Sequence, residues 1–320
     1  MNTAFADAAG GAPGAAAPPA AKPLGSTLVT LLRREFWEYR ALWLGPAVAA
    51  ALLALAAISA HVNFDLSHEH DDKMSMLLTP AGRLGLSSFV QWVLSIPLYL
   101  VMLFVLSYYL LDCLHAERKD RSILFWKSLP VSDGLTVGSK LLVACVVVPL
   151  GVFLLATLAY FVFSLIIAVR VAIGTAPDLL VFDALSWLQV EIVMLAELLL
   201  GVLWYAPVAA CLLLLSAAVR RPFLWATLPP VFAIVLERIA FGTHHFWSFL
   251  HYRTVGIWAV LIRDLNINPE TMRSQTLSSA MMHELHFGAA FTDAGLWAGV
   301  AVAAALVYVT IRIRRYRDET

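Results

Sequence analysis

Residues 141–169 read LLVACVVVPLGVFLLATLAYFVFSLIIAV and contain no Asp, Glu, Lys or Arg. A helix needs about 20 predominantly apolar residues to cross the hydrocarbon core of a bilayer. One charged side chain at the centre of such a helix costs roughly 2.5–3.5 kcal/mol on insertion scales. This stretch therefore predicts a transmembrane helix. At about 1.5 Å per residue, the helix exceeds a core about 30 Å thick, so we expect it to tilt or to project beyond the core.

Five more uncharged apolar runs lie along the 320-residue chain, at 41–60, 84–111, 198–219, 222–236 and 294–311. The run at 222–236 is short and contains Pro229-Pro230, so it either extends to residue 241 and spans, or forms a broken or re-entrant helix. The composition is 61% hydrophobic and only 14% charged, with mean hydropathy +0.79. Soluble domains carry roughly a quarter of their residues as charges. The sequence predicts an all-α polytopic membrane bundle of about six transmembrane helices over residues 41–311.

The basic residues predict which way the spans run. With the N-terminus in the cytoplasm, the inside set of Lys and Arg is Lys22, Arg33, Arg34, Arg40, Arg118, Lys119, Arg121, Lys127, Lys140, Arg220, Arg221, Arg312, Arg314, Arg315 and Arg317. The outside set is Lys73, Arg83, Arg170, Arg238, Arg253, Arg263 and Arg273. Because cytoplasmic loops carry the excess of Lys and Arg, both termini are predicted to be cytoplasmic, with residues 312–320 forming a basic tail.

Other features of the composition exclude several classes of protein. Lys+Arg 22 balances Asp+Glu 22, which argues against a nucleic-acid partner. Three cysteines are too few for a disulfide framework. Residues 1–25 are rich in Ala, Gly and Pro, which predicts a disordered tail, and they lack the basic and apolar regions of a cleaved signal peptide.

An amphipathic helix is predicted before the first span, over residues 26–40. Ser26 is positioned to cap it, and Leu28, Leu32, Phe36 and Tyr39 recur at helical spacing on one face. Its cations are Arg33, Arg34 and Arg40. Such a helix lies in the membrane interface beside anionic lipid headgroups, and the sequence leaves open whether it is only an anchor or also docks a partner.

The loop between the second and third spans, residues 112–140, joins a charged run to a short apolar helix that Pro130 ends. Its apolar residues Ile123, Phe125, Trp126 and Leu129 must be buried somewhere. Insertion into a cleft of another protein is one solution, since Trp and Arg dominate many interfaces. Packing against the chain's own helices or the lipid headgroups is the other.

A family resemblance rests on this loop. The run ERKDRSILFWKSLPVS at residues 117–132, followed by TVGSK at 136–140, resembles the first cytoplasmic loop of ABC-2 type transporter permeases. In that family an acidic-basic run leads into a short coupling helix with a Leu-Pro-Val-Ser-like ending, and a Lys opens the third span. Arg33-Arg34-Glu35-Phe36 is also similar to the family's interface helix.

The resemblance implies a permease subunit of a bacterial ABC exporter in the inner membrane, paired with a second permease copy or paralogue. Two copies of a separate ATPase would receive the coupling residues, which are Glu117, Arg118, Asp120, Ile123, Phe125, Trp126 and Leu129. The residues themselves agree that the chain is not an ATPase, because the nearest Gly-rich stretch, at 134–140, lacks the phosphate-binding spacing. No cofactor is expected.

Two alternatives stay open. Histidines in the loops predicted to be outside, chiefly His68, His70, His283 and His286, are weak candidates for Zn²⁺ or Cu²⁺ ligands. They suggest a membrane-embedded metal-dependent enzyme, although solvated loop residues explain them as well. The other alternative is a sensory or assembly subunit that binds the ATPase and transports nothing.

Polar and small residues within the spans carry further expectations. Glu191 and Glu197 are expected at the outer interface, pointing roughly 120° apart on a helix. Gln91 and Ser95 are expected to bond a neighbouring helix rather than to line a cavity. The Gly295-xxx-Gly299 motif is expected to form a close-packing face, either within the bundle or between protomers. The outer loop at 242–293 is expected to contain short interfacial or re-entrant helices.

Overall fold

The computed structural model describes residues 24–59, 80–120, 131–175, 182–261 and 291–316. Every regular element within these ranges is a helix. In chain order they are α1 Leu24–Glu38, α2 Ala41–Ser59, α3 Pro80–Lys119, α4 Asp133–Leu142, α5 Val148–Ala172, α6 Ala184–Ala218, α7 Pro222–Ala240, α8 His245–Leu261 and α9 Ala294–Tyr316.

Six helices in this part of the chain are long and apolar enough to cross a membrane. They are α2, α3, the continuous rod formed by α4 and α5, α6, α7 and α9. Each contains one of the six predicted runs, so the all-helical class and the number of candidate spans are confirmed. The chain is therefore a multi-pass membrane protein by its helices and composition.

A π-helical turn, Val143–Val147, joins α4 to α5. The wide turn has a local cause in Pro149, the second residue of α5. Proline has no N–H to donate to the carbonyl four residues back, and its ring collides with that carbonyl. Widening the turn by one residue accommodates both effects without breaking the rod.

The core forms where α2, α3, α5 and α6 pack together. Leu42, Leu98, Val148 and Leu213 are among its most buried members, each 1% exposed or less. Outside this core, α9 packs along α6, while α7 meets its neighbours sparingly and has no buried residue in its apolar window. The fold is thus a tight bundle with one loosely held span.

The fifth predicted run forms α7 as a single helix that contains Pro229 and Pro230. After Ala240 the chain turns at Gly242, whose positive φ of 63° suits glycine. Glu237 on α7 then accepts hydrogen bonds from the backbone N–H groups of His245 and Phe246, at 2.6 and 2.8 Å. These bonds cap the first turn of α8, the described helix within the predicted outer loop.

Two boundary expectations need correction. Helix α1 begins at Leu24, so Ser26 lies inside it rather than before its first turn. The buried face of α1 carries Leu31 and Glu35, and Phe36 of the predicted apolar stripe is 45% exposed. Residues 112–119 continue α3 and residues 133–140 belong to α4, so the loop is shorter than predicted.

The two glycines of the predicted packing face lie against α8 of the same chain. A Cβ at Gly295 would collide with the Tyr252 hydroxyl, and one at Gly299 would lie 2.7 Å from Nη1 of Arg253. Arg253 donates to the carbonyl of Gly295 at 2.9 Å. Of the two roles left open for this face, the structure shows the one within the protomer.

We predict that Gly151→Ala destabilises the bundle. Its new Cβ would lie 2.6 Å from the indole ring of Trp43, and overpacking of this kind costs about 1–3 kcal/mol. Gly138→Ala on α4 is the matched control, because no atom outside its own helix lies within 4 Å of that Cβ. Thermal unfolding in nonionic detergent should show a lower midpoint for Gly151→Ala alone. Equal midpoints for both variants would contradict the packing described.

Candidate functional site

Four charged side chains from four helices meet in the interior at one end of the bundle. They are Glu35 on α1, Glu117 on α3, Lys140 on α4 and Arg314 on α9, and each is 6% exposed or less. We call these four residues the ion-pair network. Because it joins α1 to the end of α9, the two ends of the described chain lie at the same end of the bundle, called here the network end.

Lys140 lies at the centre of the network. Its Nζ is 2.8 Å from Oε1 of Glu35 and 3.1 Å from Oε1 of Glu117. The other oxygen of Glu117, Oε2, is 2.6 Å from Nη1 of Arg314. Two carboxylates thus face two cations, with charge-assisted hydrogen bonds from Lys140 to Glu35 and from Arg314 to Glu117 and an ion pair between Lys140 and Glu117.

Three further polar side chains bond to the network. Tyr109 donates its hydroxyl hydrogen to Oε2 of Glu35 at 2.9 Å. Asp133, the first residue of α4, accepts from Nε of Arg314 at 3.1 Å. Nη1 of Arg34 is 3.4 Å from Glu117. Both oxygens of each buried carboxylate therefore have partners.

The network matters for the stability of the fold because its charges are buried. Moving an ionised group out of water costs several kcal/mol per ion, and a partner removed from a buried pair leaves an uncompensated charge. Such a removal costs about 3–5 kcal/mol. The network consequently fixes where α1, α3, α4 and α9 lie relative to one another, since separating them would strand charges in an apolar interior.

A second set of bonds attaches α6 to α3 at the same end. Nη2 of Arg118 donates to the carbonyls of Ser216 and Val219 at 2.6 and 2.7 Å, which satisfies backbone acceptors where α6 ends. The Ser216 hydroxyl oxygen accepts from the backbone N–H groups of Leu114 and His115 at 3.1 and 3.0 Å. Five helices are therefore held together at the network end.

The predicted coupling residues divide into two groups. Glu117 is in the network, Arg118 holds α6, and Asp120 is exposed. Ile123, Phe125, Trp126 and Leu129 lie outside the described residues, which resume at Val131. In the predicted interface helix, Arg33 and Phe36 are exposed, Arg34 bonds Glu117 and Glu38, and Glu35 is buried.

Sequence reasoning named Glu35 and Glu117 but did not predict that they meet Lys140 and Arg314. In the sequence both belong to the inside set of basic residues, with Lys140 opening an apolar run and Arg314 lying in the basic tail. The available signal was an acid and a base on either side of the loop, at 117 and 140. That spacing does not reveal a pairing, because the two side chains meet only after α3 and α4 pack.

Another polar cluster ties three spans together near the far end of the bundle. Oε1 of Glu191 on α6 accepts from Nε2 of Gln91 on α3, and its Oε2 accepts from the Thr157 hydroxyl on α5, both at 2.9 Å. Gln91 thus bonds a neighbouring helix, as predicted, whereas Ser95 donates to the carbonyl of Trp92 within its own helix. Glu191 is 7% exposed, so it is part of the interior rather than a solvated interfacial group.

A groove of about 620 Å³ runs between α3 and α6. It extends from Trp92 and Glu197 toward the far end to Leu110 and Leu212 toward the network end, with the π-helical turn and α8 forming part of its wall. Ser95, expected mainly to bond another helix, also lines this groove.

The predicted metal ligands His68, His70, His283 and His286 lie outside the described residues. Among the residues that the structure does describe, no group of three or more His, Cys, Asp or Glu side chains is arranged to hold a metal ion. The described cysteines, Cys113, Cys145 and Cys211, are all free thiols.

Comparisons with known proteins identify no relative: no family model, no curated protein and no solved structure matches the chain significantly.

We predict that Lys140→Met destabilises the protein by about 3–5 kcal/mol, because Glu35 loses its cation while remaining buried. Denaturant unfolding in nonionic detergent measures the change. Lys119→Met, at the exposed end of α3, is the matched control and should have little effect. Adding Glu35→Gln to Lys140→Met should recover part of the loss, because it removes the stranded charge. Equal stability of the two single variants would refute a structural role for the network.

Proposed function

We propose that this chain is the permease subunit of an ABC exporter, and that a separate ATPase drives it by gripping the segment at 121–130. The supporting observation is how the two flanks of that segment are anchored. Glu117 precedes it and Lys140 follows it, and these residues form a buried ion pair at 3.1 Å. A segment held this way returns to the same rigid base from which it leaves.

The two anchored flanks would transmit force from the segment to the spans. A pull on the segment acts on α3 through Glu117 and on α4 through Lys140, and the same bonds reach α1 through Glu35 and α9 through Arg314. Because opening the network strands buried charges, these helices respond together. ATP-driven closure of a docked ATPase pair would then rock the spans as a rigid body between inward and outward access.

In this proposal the network end faces the cytoplasm. The described Lys and Arg residues at that end are Arg33, Arg34, Arg40, Arg118, Lys119, Lys140, Arg220, Arg221, Arg312, Arg314 and Arg315. Those at the far end are Arg83, Arg170, Arg238 and Arg253. The positive-inside rule favours the richer end as the cytoplasmic one, and the membrane proposed for this chain is the bacterial inner membrane. An ATPase that uses cytoplasmic ATP requires the same orientation.

Helix α1 is proposed to lie in the cytoplasmic membrane interface. Phe36 and Trp37 are 45% and 59% exposed on it, beside the exposed cation Arg33. Aromatic and basic side chains together suit the headgroup region of a bilayer. Since Glu35 fastens α1 to Lys140, the interface helix would move with the spans rather than act as an independent anchor.

A second permease copy is proposed to complete the pathway, with α7 the available surface for it. Leu228, Val231 and Phe232 on this helix are each more than 55% exposed. Because lipid also covers such surfaces, crosslinking between copies through α7 is the direct test.

The orientation is tested by two cysteine variants in a background with the native cysteines replaced by Ala. Asp120→Cys lies at the network end and Thr175→Cys at the far end, and both positions are exposed. In intact cells an impermeant maleimide should modify Thr175→Cys only, and Asp120→Cys should react after permeabilisation. Ready modification of Asp120→Cys from outside would overturn the proposal.

Coupling is tested by Trp126→Ala and Leu129→Ala. Each variant should insert into the membrane normally, yet its ATPase partner should show at least tenfold less permease-stimulated hydrolysis in reconstituted vesicles. Truncating an interface anchor costs 2 kcal/mol or more, and about 1.4 kcal/mol is a factor of ten.

Trp247→Ala, at a half-exposed tryptophan on α8 near the far end, is the matched control and should keep full stimulation. Unchanged stimulation in both loop variants would refute the docking role. An ATPase that binds and hydrolyses normally while no cargo moves would favour the sensory or assembly subunit instead.

A further inference from the structure

The groove between α3 and α6 follows the length of the two helices. From Glu197 to Leu212 the α6 wall rises about 22 Å at about 1.5 Å per residue. A hydrocarbon core is about 30 Å thick, so the groove follows most of one crossing. Its volume of about 620 Å³ lies within the 300–1,000 Å³ that is usual for small-molecule sites.

The groove is asymmetric in chemistry. Toward the network end its wall is apolar and includes Leu106, Leu110, Ala144 and Leu212. Its one hydroxyl on that half of α3, Ser107, is already bonded to the carbonyl of Leu103 at 2.8 Å. Nothing in this half of the described wall therefore calls for a polar ligand group.

The far end of the groove holds two unsatisfied oxygens. Oε1 of Glu197 and the hydroxyl of Tyr99 are excluded from solvent and have no hydrogen-bond partner among the described residues. The Trp92 side chain hydrogen-bonds to Glu197, and that bond leaves Oε1 without a donor.

Other polar side chains in the groove wall already have hydrogen-bond partners. Ser95 donates to the carbonyl of Trp92 at 2.6 Å, Tyr205 donates to the carbonyl of Thr254 at 2.6 Å, and Thr254 donates to the carbonyl of Leu250 at 3.0 Å. Glu191, six residues before Glu197, bonds both Gln91 and Thr157. Glu197 thus has one unpaired oxygen, whereas both oxygens of Glu191 are bonded.

We propose that the groove binds a single-chain amphiphile with a primary ammonium headgroup. The ammonium lies at the far end and donates to Oε1 of Glu197 and to the Tyr99 oxygen, and both side chains turn toward the groove to receive it, because neither oxygen has accessible surface in the chain without ligand. The hydrocarbon chain follows the apolar wall toward Leu110 and Leu212. The inference concerns the ligand of this groove and does not depend on the ATPase proposed above.

The charge of the headgroup and its number of hydrogen-bond donors both favour an ammonium. A neighbouring ammonium favours the ionised form of the Glu197 carboxyl, which only accepts hydrogen bonds, and the ammonium itself carries three donors and no acceptor. No ion pair to Glu197 is formed by any described Lys, Arg or His, so a cationic ligand supplies the missing charge. A phosphate or carboxylate headgroup would instead meet like charge. Entry is from the bilayer, because Ile96, Leu100 and Leu103 along the α3 lip are 42–61% exposed.

The test is photo-crosslinking of the purified full-length chain in nonionic detergent. The probe is dodecylamine with a diazirine at the end of its hydrocarbon chain, and the matched probes are the corresponding dodecanol and dodecyl sulfate. Mass spectrometry of peptides should locate the amine adducts at the apolar end of the groove, around Ala144 and Leu212. The alcohol and sulfate should label that site at least tenfold less, as expected for loss of a charge-assisted bond.

Two variants and one control sharpen the test. Glu197→Gln keeps the side-chain shape and should lower amine labelling about tenfold or more. Gly201→Leu should block labelling by filling the groove, because no atom lies within 4 Å of a Cβ at that position. Glu191→Gln alters the satisfied acid and should keep labelling. Equal labelling by the three probes, or adducts equally dense on Val302 and Val309 of α9, would overturn the proposal.

Discussion

A lysine without solvent contact lies between two glutamates that come from different helices, and the rest of the bundle is arranged around that contact. Lys140 is fully buried, and its ammonium bonds Glu35 and Glu117. A buried charge is tolerated only when its partners are present and well placed. The ends of α1, α3 and α4 must therefore coincide, and Arg314 adds α9 by pairing with the remaining oxygen of Glu117.

The ion-pair network and the bonds beside it hold one group of helices together, and that group does not include α7. Arg118 and Ser216 extend the fastened part to α6. Helix α7 stands apart, since its apolar window has no buried residue. If the fastened helices respond together to a docked ATPase, as we propose, the displacement is greatest relative to α7.

Two glutamates on α6 lie in different environments because they point in different directions around one helix axis. Glu191 and Glu197 are six residues apart, which places them roughly 120° apart around the helix. The Glu191 side chain bonds an amide and a hydroxyl on neighbouring spans and so cross-links the helices. The Glu197 side chain lines the groove, where its Oε1 has no hydrogen-bond partner among the described residues. The two acids thus differ in environment, although both are glutamates near the far end of one span.

The sequence by itself determined the helical class, the six apolar runs and the uneven distribution of basic residues, because each depends on the types of residue within one segment. It also placed Gln91 in a helix–helix bond. It could not determine whether the fifth run would be continuous, which face of α1 would be buried, or that Lys140 and Arg314 would meet Glu35 and Glu117. Those outcomes depend on which helices pack together. A charge at the end of an apolar run looks the same in sequence whether it faces water or a partner 105 residues away, and only tertiary packing decides between the two.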